Sequence, residues 1–530
     1  MTPTNGHFMI ARDRERLLFP VHPNGSRKRV REAFEGAKTR MAEMSFGRAM
    51  SWLADRDPDA PTLVFEGRTV TRSELDRRSN RRARVYQAAG VGPGDRVTIA
   101  LPNGPEFFEC CLAAWKLGAT PNPVSAKLPE IELQAIVELS DPALVAGAAA
   151  GRFGDRPSHP EGFEPAGALD DTPLPEAVPE SARAMTSGGS TGRPKLIVTT
   201  EPALTDPEAA PAPLQATGRT LIPGPLYHAG PFMASWQSVL SGGCVVLMRR
   251  FEAAESLELL ERHRIEWVLF VPTMMQRIWR LPESERTGFD LSALRVVMCT
   301  GAPSSDWLKR AWIEWLGPER IYEAYGGSER IAGTMISGTE WLAHPGSVGK
   351  PTAGRLVRIL DEDGNECPAG VTGEVFMMPP GGQGSTYRYV GDDRAPSASG
   401  WESLGDMGHL DSEGYLYLGD RKTDMILCGG ANVFPAEVES AIDAHSAVRS
   451  SAVIGLPDDD LGQRIHAIVD APGGLTGENL RTHLADRLVR YKIPRTFEFV
   501  DAPLRDDAGK VRRSALREAR LPKNFSTPME

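Results

Sequence analysis

The sequence predicts an α/β protein: a large N-terminal domain of α/β subdomains plus a β-rich subdomain, then a small α+β C-terminal domain. Three observations predict it. Helix-like and strand-like segments alternate from about Met44, short strands punctuated by turns dominate beyond Gly346, and a second alternation runs from about Gly419 to the end. A chain of 530 residues is also too long for one ordinary core.

Taken in order, residues 1–43 read as an N-terminal extension, and its basic stretch Arg27-Lys28-Arg29-Val30-Arg31 reads as a solvated face. Glu74 to Ala89 is helix-like, Arg96 to Leu101 is a short β-branched run, and Pro105 to Leu117 is helix-like again. Gly147 to Pro179 and Thr200 to Pro213 are rich in proline, glycine and small residues, which predicts exposed connections. Beyond Gly346, turns such as Asp363-Gly364, Ala369-Gly370 and Ser412-Glu413-Gly414 separate strand-like segments. The last stretch offers a helix from Ala436 to His445, a strand from Ala452 to Leu456 and a helix from Leu480 to Val489, a set that suits a domain of roughly 100 residues.

Composition narrows the function. Hydrophobic residues at 41% and charged residues at 25% exclude a disordered or fibrous chain, and a net charge of -10 argues against nucleic acid as the main partner. The six cysteines, Cys110, Cys111, Cys244, Cys299, Cys367 and Cys428, lack zinc spacing and read as reduced thiols of a cytoplasmic protein. No apolar h-region follows Met1 and no apolar run is of membrane length, so neither export nor a membrane span is expected.

One segment concentrates phosphate chemistry. Ser187-Gly188-Gly189-Ser190-Thr191-Gly192-Arg193-Pro194-Lys195 combines glycines that let the backbone approach closely, N–H groups that form an anion nest, and Ser190, Thr191 and Lys195 as donors. It is not a Walker A loop, because Lys195 follows proline and leads into Leu-Ile-Val-Thr-Thr, a strand rather than a helix. Read alone, such a loop is as well explained as a flexible Gly/Ser turn.

This segment resembles the phosphate loop of the adenylate-forming superfamily, which includes acyl-CoA synthetases, nonribosomal-peptide adenylation domains and luciferases. Other segments resemble that superfamily in the same order, from about Ser45 to Arg517. Tyr325-Gly326-Gly327-Ser328-Glu329 is similar to the family's Tyr-Gly-x-Thr-Glu, with serine in place of threonine. Gly301-Ala302-Pro303 resembles the adenine-contacting turn, and Gly346-Ser347-Val348-Gly349-Lys350-Pro351 resembles Gly-Ser-Val-Gly-x-Pro. Gly405-Asp406 and Asp420-Arg421-Lys422-Thr423-Asp424 resemble the ribose-binding elements before an interdomain hinge, and Gly429-Gly430-Ala431-Asn432 resembles the glycine loop of the mobile domain. Asp507-Ala508-Gly509-Lys510 resembles the segment that carries the catalytic lysine. In flavour the chain is similar to bacterial bile-acid or steroid-acid ligases and to aryl- or acyl-CoA ligases.

The resemblance implies an enzyme that uses ATP, Mg²⁺ and coenzyme A to convert a carboxylic acid first to an acyl-AMP and then to a thioester. It implies Lys510, Ser328 and Glu329 as catalytic residues, Glu329 and Ser190 at the metal, and Tyr325, Gly326, Asp406 and Arg421 on the nucleotide. Gly429 and Gly430 would reach the site only after the C-terminal domain turns about Lys422 and Thr423, where Thr423 stands in place of the family's Asp or Lys. Domain bounds of 44–419, 420–423 for the hinge and 424–530 for the lid follow. His228 falls at the junction of acyl pocket and thiol tunnel and joins the catalytic residues as a candidate for gating or positioning, although a lone histidine is more often a hydrogen-bonded structural one. Ala229, Phe232, Met233, Trp236 and Gly327 are candidate pocket residues, and the apolar ones among them suit a core equally well. None of them offers an aspartate for a substrate ammonium, which disfavours an α-amino acid. Such an enzyme is expected as a monomer or homodimer. Three rivals stand beside it: an adenylating enzyme that delivers to an amine, another small nucleophile or a carrier-protein thiol; a nucleotide-binding protein without catalysis; and a scaffold acting through its basic N-terminal segment.

Overall fold

The computed structural model describes residues 43–187, 194–209, 214–352, 354–391, 400–506 and 509–521. The expected N-terminal extension therefore lies outside the described residues, apart from residue 43.

Local signals start the elements. Helix Arg72–Ala88 begins where the Thr71 hydroxyl accepts the Glu74 N–H, and helix Pro105–Lys116 begins with a proline whose missing N–H has no partner to lose. The second helix packs on Arg96–Ile99 and Thr120–Pro123, two strands of a parallel sheet completed by Leu144–Ala146 and Ser158–His159. From Gly147 to Pro179 that last short strand is the only helix or strand.

A 13-stranded sheet forms the centre. Its parallel half contains Cys244–Leu247, Arg219–Ile222, Trp267–Phe270, Val296–Cys299 and Ile321–Gly326. Cys244–Leu247 and Trp267–Phe270 are buried at every position, which is why they read as unbroken apolar runs rather than alternating ones. Ile321–Gly326 then pairs antiparallel with Gly333–Ser337, and the β-rich region continues from there within the same sheet. The seam depends on Ser347-Val348-Gly349: the Ser347 hydroxyl donates to the Leu416 carbonyl at 2.9 Å and accepts the Gly349 N–H at 2.9 Å. Gly349 has φ +94°, and a Cβ there would stand 2.0 Å from the Met335 carbonyl oxygen, so only glycine lets these strands close. The seam joins the strand that ends in Arg421 to the one that ends in Tyr325-Gly326 through Ser347–Pro351 and Gly333–Ser337, which lie between them.

Lys195–Thr199 is a strand, as its composition predicts, between Ala184–Ser187 and Tyr387–Val390. After Arg421 a separate five-stranded sheet starts at Ile426–Cys428, with its own core of Ile426, Val433, Val438, Ile442, Val453 and Ile465 among others. Here the helix expected from Leu480 to Val489 spans Gly477–Ala485 instead. Thr476 and Asn479 form a reciprocal capping box that starts it three residues early, and it ends at Asp486. The remaining predicted elements lie within a few residues of their expected bounds.

Candidate active site

Four stretches of chain converge at the end of the central sheet. In the first, Ser187 and Lys195 are paired on neighbouring antiparallel strands, and residues 188–193 between them lie outside the described residues. The expectations for Gly188, Gly189, Ser190, Thr191 and Gly192 therefore go undescribed. Lys195 has its Nζ 3.8 Å from the centroid of the Tyr389 ring. Tyr389 sits on the neighbouring strand, opposite Ile197, and its hydroxyl donates to Glu329 Oε1 at 2.8 Å. Burial, reinforced by the Glu329 charge, pushes the Tyr389 hydroxyl well above the ordinary phenol range, so it stays a donor.

Glu329 ends the second stretch. It is only 8% exposed, with Ser328 half-buried before it. A Cβ on Gly327 would lie 2.7 Å from Glu329 Oε2 and 2.8 Å from Leu404 Cδ1, so glycine is what lets the carboxylate fold back over the turn. Arg330 closes that turn in the left-handed region at φ 56°, donating its N–H to the Gly327 carbonyl at 3.1 Å, and its guanidinium pairs with Glu201.

In the third stretch, Asp406 and Arg421 face each other across antiparallel strands, with Arg421 Nε 3.5 Å from Asp406 Oδ1. The Tyr325 hydroxyl donates to the other carboxylate oxygen at 2.6 Å. Close by, Gly301 has φ +90°, and Thr300 donates to the Ala324 carbonyl at 2.8 Å, which ties the exposed Gly301-Ala302-Pro303 turn to the Tyr325 strand.

The fourth stretch carries Lys510. Its N–H donates to Asp506 Oδ1 at 2.9 Å, and the Gly509 N–H donates to the Asp506 carbonyl at 2.9 Å. Gly509 has φ +76°, and a Cβ there would lie 2.8 Å from Thr273 Oγ1, so the turn rests directly on the first residues of helix Pro272–Trp279. Lys510 is open to solvent in the cleft, yet protein crowds it. That desolvation lowers its ammonium pKa below the ordinary 10.5; Arg421 lowers it further, whereas Asp506 and Glu329 oppose the shift. Lys510 thus lies within electrostatic reach of both Glu329 and Arg421. A pair of cationic side chains, a buried carboxylate and an Asp–Arg pair have the chemistry to hold phosphate, a hard divalent cation and a ribose diol.

Known proteins give the family. The pattern of the AMP-binding enzyme family matches residues 50–382, and that of the AMP-binding enzyme C-terminal domain matches residues 437–510. The chain belongs to the AMP-binding enzyme family. It is similar to a feruloyl-CoA synthase of Amycolatopsis sp, 33% identical over 494 residues, which covers 88% of this chain and 98% of that protein. It is also similar to the fatty acid–[acyl-carrier-protein] ligase ScoC of Streptomyces coeruleorubidus, 31% identical over 499 residues, 88% of this chain and 95% of that one. Among solved structures, o-succinylbenzoate coenzyme A synthetase from Bacillus subtilis in complex with ATP and magnesium ion superposes with a TM-score of 0.75 at 27% identity, covering 90% of this chain and 100% of that one. As an AMP-binding enzyme, the chain has the fold read from its sequence and is an AMP-forming ligase of the acyl-CoA synthetase class.

Within this AMP-binding enzyme, the candidate acyl-pocket residues divide. His228 precedes helix Ala229–Leu240, with its ring 4.5 Å from that of Tyr227. A Cβ on Gly230 would meet Leu269 and Thr300 at 3.6 and 3.7 Å, which puts the first turn of this helix beside the Thr300-Gly301 turn. His228, Ala229 and Met233 are half-buried. Phe232 and Trp236 are each only 3% exposed and turn the other way, into a cluster with Phe107, Phe108 and Trp115. These two pack as core residues against the aromatic face of helix Pro105–Lys116, which offers the larger apolar surface to bury.

Gly429 and Gly430 form a turn at φ 58° and 81°, and a Cβ on Gly430 would have no atom within 4 Å. A Cβ on Gly429 would meet Leu461 at 3.1 Å, and among the described residues no atom of the Lys195–Glu329–Lys510 cluster lies within 4 Å of either position. Lys422 still bonds to the large sheet through the Gly405 carbonyl at 2.9 Å, and Thr423 follows in the turn that leads to the small one.

Sequence reasoning gave Tyr389 no role at the site. Its signal was the Tyr387-Arg388-Tyr389 alternation, which reads simply as a strand. Tyr389→Phe, which keeps the ring beneath Lys195 but removes the hydroxyl, is expected to slow adenylation about tenfold and to raise the Mg²⁺ concentration needed. Steady-state titrations of ATP and Mg²⁺ check this, and a variant with wild-type curves would reduce the hydrogen bond to a packing detail.

Proposed function

We propose that this protein joins an apolar aryl or alkyl carboxylic acid to coenzyme A through an acyl-adenylate. The observation that carries the reading is the convergence of Lys195, Glu329, Asp406, Arg421 and Lys510 on one cleft from four separate stretches of chain. The half-buried residues of the first turn after His228 are uncharged, which favours an acid without an ammonium group. In this reading, residues 44–419 form the adenylating domain, 420–423 the hinge and 424–530 the lid. The placement is cytoplasmic, a reading supported by six cysteines that are all free thiols, and the assembly is a monomer or homodimer; no helix among the described residues is long and apolar enough to cross a membrane.

In the first half-reaction a substrate carboxylate oxygen bonds to the α-phosphorus of ATP, and the bond from that phosphorus to the bridging oxygen breaks, releasing pyrophosphate. Asp406 accepts from the ribose hydroxyls, and Arg421 donates to them. Lys195 and residues 188–193 hold the outer phosphates, Ser328 donates to the α-phosphate, and Lys510 neutralises the charge that develops there. Glu329 suits Mg²⁺: it is a hard oxygen donor fixed by Tyr389, and no cluster of three or more potential metal ligands exists among the described residues, so phosphate oxygens and water would complete the shell. Bound there, Mg²⁺ would offset phosphate charge. In the second half-reaction the coenzyme A thiolate attacks the acyl carbon, AMP leaves, and Gly429 and Gly430 line the thiol's approach once the lid has turned.

The test is pyrophosphate release with ATP and Mg²⁺ across steroid, aryl and fatty acids, each with and without coenzyme A, followed by mass analysis. Acyl-CoA is the expected product. Accumulation of acyl-AMP, or transfer only to an amine or a carrier protein, would give the acceptor a different identity, and no release with any acid would remove the proposal.

A further inference from the structure

The most heavily bonded carboxylate of the small domain belongs to Glu439, which the reaction as described does not use. It lies on helix Pro435–Asp443 and is 4% exposed. Arg513 Nη2 donates to both of its oxygens at 2.9 Å, Arg505 Nη2 donates to Oε2 at 2.9 Å, and the Val453 N–H donates to Oε1 at 2.8 Å. Those two arginines flank Lys510 in sequence. The other end of Arg505 donates from Nη1 to the Gly509 carbonyl at 3.2 Å, one residue from the lysine. The other end of Arg513 donates from Nη1 to Asp424 Oδ2 at 3.0 Å, immediately after the hinge residues.

Apolar packing holds this part of the chain only in part: Leu504 and Leu516 pack against Ile454, Leu456 and Ile468. Helix Arg513–Glu518, which follows the lysine, has no buried residue. Its placement, and that of the turn before it, therefore depends as well on hydrogen-bonded charges that are largely removed from water. Such bonds are directional and short, so they define position where a greasy contact would tolerate sliding.

We propose that Glu439 is a positioning residue for Lys510: through Arg505 and Arg513 it fastens the lysine-bearing turn to the segment just past the hinge, so that hinge and lysine move as one body. This rests on the reading of Lys510 as the residue that neutralises the α-phosphate. A carboxylate bonded to both arginines transmits the angle of the hinge to the ammonium group, and Gly509 against Thr273 marks where that motion stops.

Three full-length variants test it: Glu439→Gln, Arg505→Lys and, as the control, Lys510→Ala. Each is assayed with the acid identified by the panel above for ATP–pyrophosphate exchange and, separately, for acyl-CoA formation from presynthesised acyl-AMP. Glu439→Gln and Arg505→Lys are expected to lower exchange by about tenfold to a hundredfold, the range that misplacing a reacting group produces, while the second step stays near wild type. A purely structural role would lower both steps by the same factor, and that result overturns the proposal. So does unchanged exchange in both variants when Lys510→Ala has lost it. Should Glu439→Gln fail to fold, Arg505→Lys decides alone, because it keeps the charge and gives up the fork that reaches Gly509. Exchange that survives in Lys510→Ala would instead overturn the reading of Lys510 beneath the proposal.

Discussion

Lys510→Ala is expected to lower ATP–pyrophosphate exchange by about 10²–10³-fold, yet to leave acyl-CoA formation from presynthesised acyl-AMP near the wild-type rate. The reason for the split is geometric. Lys510 lies within electrostatic reach of Glu329 and Arg421, where the α-phosphate charge would develop, whereas among the described residues no atom of the Lys195–Glu329–Lys510 cluster lies within 4 Å of a Cβ on Gly429 or Gly430. Equal loss of both steps would mean that one arrangement of the domains serves both. A pH dependence follows from the same residue. Burial and Arg421 depress the Lys510 pKa below 10.5, and the neutralising form is the protonated one. Exchange should therefore fail as pH rises through that depressed value, at a lower pH than an ordinary lysine would give. The second step should not share this limb.

Glu329→Gln should produce the other large effect. The substitution keeps the shape and removes the anion, so the adenylation rate is expected to fall by about a hundredfold with a higher Mg²⁺ requirement. Calorimetric binding of ATP with and without Mg²⁺ supplies a readout apart from turnover: the wild type should gain affinity from the metal and the variant should gain much less. A variant whose ATP affinity responds to Mg²⁺ as the wild type does would place the metal on other groups. The loss should exceed that of Tyr389→Phe, which removes one bond to the carboxylate and leaves its charge.

Much of the site was legible because its residues are chosen for properties that survive in one dimension. Gly349, Gly327 and Gly509 stand where a Cβ would strike a backbone or side-chain atom, and that requirement writes glycine into fixed spacings. Lys195 and its strand were readable from the apolar run that follows the loop. What escaped depends on contacts between distant segments. Tyr389 lies 60 residues from Glu329, and Arg513 lies 74 from Glu439, so no local pattern joins them. Phe232 and Trp236 were ambiguous in principle, since residues four apart share a face of a helix without saying what that face meets. Only the aromatic side chains of helix Pro105–Lys116 decide it. Strand order was likewise invisible, and with it the continuation of the β-rich region inside the central sheet.

The division of helix Ala229–Leu240 into two faces has a consequence for how this scaffold can change. Phe232 and Trp236 are tied to the folding of the first subdomain, whereas Ala229 and Met233 are only half-buried beside His228. On the proposed reading, in which Ala229 and Met233 face the acid, drift toward a bulkier or slimmer acid proceeds by exchanges at one set of positions without drawing on the thermal stability held by the other. A lineage built this way is free to explore new acids while its core stays the same.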